Sequence, residues 1–150
     1  MRADSPQWIV AKAEGDRAEL AIAKWFKRYG WQPFKSIGNA EFDLLLQCEV
    51  EVKHDRMASD TGNLAIEVAY RGQPSGIMTS RAKWWVIVVG SLAVIIKTDK
   101  LQKFVLAGKF REVPAGDGKL ATVRLVPLDR LKEHSKAHVV KVDETDASDG

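Results

Sequence analysis

One cysteine, Cys48, stands in the whole chain, so no internal disulfide can form. Without a covalent staple the fold must rest on a buried core, and a lone thiol suits a reducing, cytoplasmic setting. Apolar runs are as scarce. The longest, WWVIVV at 84–89, is one strand long, far short of the about 20 residues that span a bilayer. The opening MRADSPQWIV lacks the charged segment, apolar stretch and small-residue cleavage site of a secretory leader. No membrane partner is expected. There is no internal repeat, no phosphate-binding glycine loop of the Walker type and no Gly-x-Ser-x-Gly.

Negative charge is thin outside the C-terminus. Asp143, Glu144, Asp146 and Asp149 crowd the last eight residues, which hold no base. Over 1–142 the 23 lysines and arginines face 16 acids, a formal +7. A basic body attracts polyanions and loses that attraction as salt rises. The chain reads as a single domain over 1–142 with an acidic disordered tail over 143–150. Its 150 residues suffice to bury a core; a domain of that size hides roughly 70% of its unfolded surface.

Ser5-Pro6 supplies a capping hydroxyl and a first-turn proline for a helix over 7–29, stopped by Gly30. Ile22, Ala23 and Phe26 form its apolar stripe, and Gly15 weakens its middle enough to split it in two. Residues 42–46 and 50–53 read as an antiparallel hairpin, and 63–70 (NLAIEVAY) as a third strand. Residues 71–76 (RGQPSG) read as a loop, with Thr79 or Ser80 capping a short turn. Strands follow at 85–89 and 92–96. Thr98 is expected to cap a helix over 99–107 that ends at Gly108. Residues 109–118 read as loop, 121–126 as an edge strand closed by Pro127, and 128–133 as a short helix. The fold class is α/β or α+β: a central mixed β-sheet flanked by helices.

The chemistry concentrates in EFDLLLQCEVEVKHD at 41–55. Strand alternation sends Glu49, Glu51 and Lys53 to one face and Val50 and Val52 to the other. Asp43 precedes Leu44, Leu45 and Leu46, where an unpaired charge is costly and must find a partner or a cation. Two carboxylates from adjacent strands make an oxygen site for magnesium, which keeps several waters and completes its shell with phosphate. Lys53 beside them can orient a nucleophilic water and offset charge growing on a phosphate. An ordinary solvated strand would show the same alternation, so the neighbouring Asp43 carries much of the weight.

Asp43, seven residues, then Glu51-Val52-Lys53 resembles the signature of the PD-(D/E)XK nuclease superfamily, with its restriction-endonuclease-like core. Phe42 stands where the family name has proline. Gly15-x-x-x-Glu19 followed by Gly30-Trp31 resembles the first helix of archaeal Holliday-junction resolvases and related phage nucleases. The resemblance implies Mg2+- or Mn2+-dependent hydrolysis of DNA phosphodiesters. It makes Asp43 and Glu51 metal ligands, Lys53 the catalytic lysine, Val52 a carbonyl ligand, and Glu19 an auxiliary catalytic and metal-site carboxylate. Glu14 competes with Glu19, since it shares a face with Ala18, Ala21 and Trp25.

Residues 61–83 resemble a stretch of phage-encoded members, which adds a phage origin, DNA recombination and action in the infected host's cytoplasm to the expectations. His54, Arg56, Arg71, Ser75, Thr79 and Lys83 become candidate DNA contacts; Asn63 and Glu67 are weighed with them. His134 and His138 have helical i, i+4 spacing but no cysteine or acid cluster to complete a zinc site. Trp84 and Trp85 read as core. Three functions compete: a structure-selective endonuclease on branched DNA, a sequence-specific restriction or homing enzyme, and a non-catalytic nucleic-acid-binding module. Branched DNA needs two incisions, so a homodimer or higher oligomer is expected.

Overall fold

The computed structural model describes residues 6–28, 34–35, 44–45 and 48–142, with side chains over 17–28 and 48–142. Helix α1 (Pro6–Arg28) leads into β1 (Phe34–Lys35), β2 (Leu44–Leu45), β3 (Glu49–His54), a one-turn α2 (Ala58–Thr61), β4 (Asn63–Tyr70) and β5 (Gln73–Pro74). A 3-10 turn (Gly76–Met78) precedes β6 (Trp84–Val89), β7 (Leu92–Lys97), α3 (Thr98–Ala107), β8 (Arg111–Ala115), β9 (Ala121–Pro127), α4 (Leu128–Lys132) and β10 (His138–Lys141).

The architecture is α+β. A mixed six-stranded sheet runs β1-β2-β3-β6-β7-β10, and a four-stranded antiparallel sheet runs β5-β4-β9-β8. β3 and β6 are parallel, because the chain between them detours through the second sheet; β2–β3 and β6–β7 are antiparallel hairpin neighbours. Strand β6 is buried on both faces, which is why WWVIVV reads as an unbroken apolar run.

Two cores lie on either side of the mixed sheet. On one face Ala18, Ile22 and Phe26 of α1, each four residues from the last, meet Val50, Val52, Val86, Val88, Ala93 and Ile95. Fully burying Ile22 and Phe26 stabilises by about 1.5–3 kcal/mol apiece. On the other face Trp85, Ile87, Val94 and Ile96 meet Leu101 and Val105 of α3, together with Leu64 and Ile66 of β4 and Val126 of β9. A second sheet, not helices alone, therefore covers this face.

Several local expectations change. Helix α1 is continuous through Gly15. The short turn lies before Thr79, not after it. Thr98 sits inside the first turn of α3, whose N-cap position is Lys97, and donates its hydroxyl to the Ala82 carbonyl at 2.6 Å. Residues 111–115, read as loop, form an edge strand; Pro114 is tolerated there because an edge needs fewer donors. Strand β9 is interior, flanked by β4 and β8. His134 follows α4 while His138 opens β10, so the two histidines share no helix. The tail 143–150 lies outside the described residues.

Asp55, just past β3, ties the layers together. Its Oδ1 accepts the Ala58 amide at 3.0 Å and its Oδ2 accepts the Ala65 amide at 2.8 Å, while its own N–H donates to Val88 at 2.9 Å. Asp55→Ala strips both amides of their acceptor and is expected to cost about 2 kcal/mol. Urea unfolding at an unchanged m-value measures it; a loss under about 0.5 kcal/mol would mean that water replaces the carboxylate.

Candidate active site

Alternation along β3 holds as the sequence implies. Val50 is fully buried and Val52 nearly so, both toward α1, and Glu51 and Lys53 leave by the opposite face. Glu51 pairs in register with Trp85, and Lys53 with Ile87, across the parallel β3–β6 ladder. Lys53 Nζ lies 2.6 Å from Glu51 Oε1, with the glutamate side chain 15% exposed and the lysine 53%. The same ammonium stands 5.9 Å from the Trp85 ring centroid, within cation–π range. Trp85 is itself fixed by donating Nε1–H to Ser80 Oγ at 2.8 Å. The pair thus sits on a rigid floor, with one end wet.

Lys53, Trp85 and Gly76 line two hollows that adjoin as one cleft between the sheets. One, of about 280 Å³, is completed by Glu51, Thr79, Ser80 and Arg81. The other, of about 310 Å³, takes in Glu67, Asp55 and the apolar wall of Ile66 and Val123. Glu67 is aimed by a β-bulge: the β4–β9 register slips between Glu67 and Ala69. The Val68 carbonyl accepts the Ser75 amide at 3.1 Å, and Ser75 Oγ donates to Glu67 Oε2 at 3.0 Å. The Lys53 ammonium, common to both hollows, therefore stands with the half-buried Glu51 carboxylate and the Arg81 guanidinium in one and with the oriented Glu67 carboxylate in the other. Such a set can bind an anion, orient water and move a proton.

The remaining sequence candidates scatter. Asp43 lies outside the described residues, but Leu44, which follows it, pairs with Val50, which precedes Glu51. Glu19 is half-buried on α1, whose buried stripe runs through Ala18, so the sheet stands between that helix and the Glu51–Lys53 pair. The Glu14 side chain lies outside the described residues. Thr79 lines the cleft. Ser75 orients Glu67 rather than offering itself to a ligand. Arg71, at φ +50 in the β4–β5 turn, lays its guanidinium 5.7 Å from the Tyr70 ring and is not part of the cleft lining, and neither is Lys83. His54 lines the cleft and also, with Arg56, a groove beside α1. Burial pushes the Cys48 thiol up, the Lys83 charge opposing and Glu49 adding to the rise, so this cysteine is a poor nucleophile.

Nothing in the spacing of the chain marks Ser80 and Arg81 as site residues. For Glu67 the signal is an acid within the apolar strand NLAIEVAY.

Among the described residues no three or more His, Cys, Asp or Glu side chains gather as a metal group. Glu51, paired with Lys53, is a carboxylate of the kind that could give magnesium one hard oxygen ligand. No helix among the described residues is long and apolar enough to cross a membrane. Comparison with protein-family models, with curated proteins and with solved structures yields no match to this chain.

Proposed function

We propose that this chain is a metal-dependent endonuclease that hydrolyses DNA phosphodiester bonds in the Glu51–Lys53 cleft. One observation carries the reading: Glu51 and Lys53 leave the same face of β3 into a shared cleft, one residue beyond a cross-strand pair, Leu44–Val50, that directly follows Asp43 in sequence. Asp43, Glu51 and the Val52 carbonyl would hold Mg2+ or Mn2+, an oxygen set that matches these ions. When bound, the ion acidifies a water and neutralises phosphate charge. Lys53 orients the nucleophile and stabilises charge on the phosphoryl oxygens from a floor fixed by Trp85. The basic body, +7 over 1–142, draws the polyanion in.

The test is cleavage of linear, supercoiled and four-way-junction DNA by the purified chain with Mg2+ or Mn2+. Metal-dependent scission is expected, falling by at least about a hundredfold in Asp43→Asn. Preference for the junction, with a dimer seen by mass measurement, supports the structure-selective form. Defined ends from a random-sequence library support a sequence-specific one. Binding without scission on every substrate and with both metals overturns the nuclease reading.

A further inference from the structure

The chain carries a second polar hollow on the other side of the mixed sheet. It lies where the parallel strands β3 and β6 end, against α1, and measures about 580 Å³. Crevices outside the carboxyl ends of parallel strands are where open α/β sheets bind ligands, because loops there are free to supply polar groups. Here those groups are Arg17 from α1, His54 and Arg56 from the end of β3, Ser59 from α2, and Ser91 from the β6–β7 turn. All five are exposed. The acid in the lining is Asp55, and its two oxygens face the amides of Ala58 and Ala65. The groove is thus lined by two guanidiniums, an imidazole and two hydroxyls, of which Ser59 Oγ donates to the Arg56 carbonyl at 3.3 Å. Guanidinium is the group best matched to phosphate oxygens, which it takes two at a time.

The groove also connects with the cleft. His54 and Asp55 line both. Lys53 and His54 are the last residues of β3 and point to opposite faces, so a ligand passing round the end of this strand goes from one site to the other. We infer that the Arg17–His54–Arg56 groove is a phosphate-binding subsite for a nucleic-acid strand, gripping the backbone away from the Glu51–Lys53 cleft. This deepens the nuclease reading by assigning the path of the strand outside the cleft, and it is tested by binding alone.

The measurement is fluorescence anisotropy of labelled single- and double-stranded oligonucleotides of mixed sequence, with the full chain, in EDTA, across a KCl series. The Arg17→Ala/Arg56→Ala variant is expected to bind at least about tenfold more weakly. Its slope of log affinity against log salt for duplex should be shallower by about 1.8, two lost phosphate contacts at about 0.9 each. Ser91→Asp, on an exposed turn that tolerates substitution, adds a negative charge to the groove and should weaken binding about threefold or more. Lys103→Ala, on α3 across the sheet, should change neither quantity.

Unchanged affinity and slope in both groove variants overturn the subsite, as does a wild-type chain that binds neither oligonucleotide. Release of the oligonucleotide by an equimolar nucleoside triphosphate also overturns it, since the groove would then belong to a free nucleotide. Metal-dependent scission alongside unchanged groove-variant binding removes the subsite and keeps the nuclease. Arg17/Arg56-dependent binding without scission keeps the subsite and removes the nuclease.

Discussion

Lys53→Ala is expected to lower metal-dependent DNA cleavage by about 10²–10³-fold, the usual loss when one group that stabilises transition-state charge is removed. DNA affinity should stay within about threefold, because a single ammonium contributes one screened contact to an extended polyanion interface. The side chain is 53% exposed, so folding should be indifferent to its loss. Lys53→Arg should not restore the rate. A planar fork needs a different approach from a compact ammonium, and the 2.6 Å contact to Glu51 over the Trp85 ring leaves little freedom to find one. Single-turnover rates with saturating enzyme separate the chemical step from binding. Wild-type rates in Lys53→Ala would remove the lysine from the chemistry and leave Glu51–Lys53 as an ordinary strand ion pair.

Gly76→Ala is expected to cost several kcal/mol, and the loop it closes should lose its hold on Glu67. Two terms add at this position. Its φ of +57 is a left-handed conformation that strains any other residue by about 1–2 kcal/mol. A Cβ placed there would lie 2.2 Å from the Glu67 carbonyl oxygen and 2.8 Å from Glu67 Cβ, and that backbone belongs to a bulged, paired strand that yields little. Gly90 provides the internal control. It has the same φ of +57, but a Cβ there meets nothing within 4 Å. Gly90→Ala should therefore show the strain alone, and Gly76→Ala should exceed it by about 2 kcal/mol or more, roughly 6 °C in Tm for a domain of this size. Paired thermal and urea unfolding of the two variants measures the difference. Equal losses would mean that the loop moves off β4 at little cost, and Ser75 would then not be a firm anchor for Glu67.

The faces of β3 follow from a two-residue period that needs no knowledge of what covers them. The α1 stripe is legible to within one position: Ile22 and Phe26 are fully buried, but their third member is Ala18, and adjacent Glu19 lies on the flank. Strand β8, REVPA, carries two charges and a proline, and pairing with β9 alone makes it a strand. The hydroxyl of Thr98 suits a helix cap by type, yet the carbonyl of Ala82, sixteen residues away, takes its hydrogen bond.

What the amino-acid order determined by itself is local and periodic: α1, the β2–β3 hairpin, the paired strands at 84–97, and the common face of Glu51 and Lys53. Backbone geometry imposes those periods on any chain. Tertiary structure alone decided what that face meets. A detour through a second sheet brings Glu67, Gly76, Ser80 and Arg81 to Lys53, and it leaves α1 on the opposite side. Docking one layer on another depends on the summed shape and burial of many separated residues, and no spacing along the chain encodes that sum.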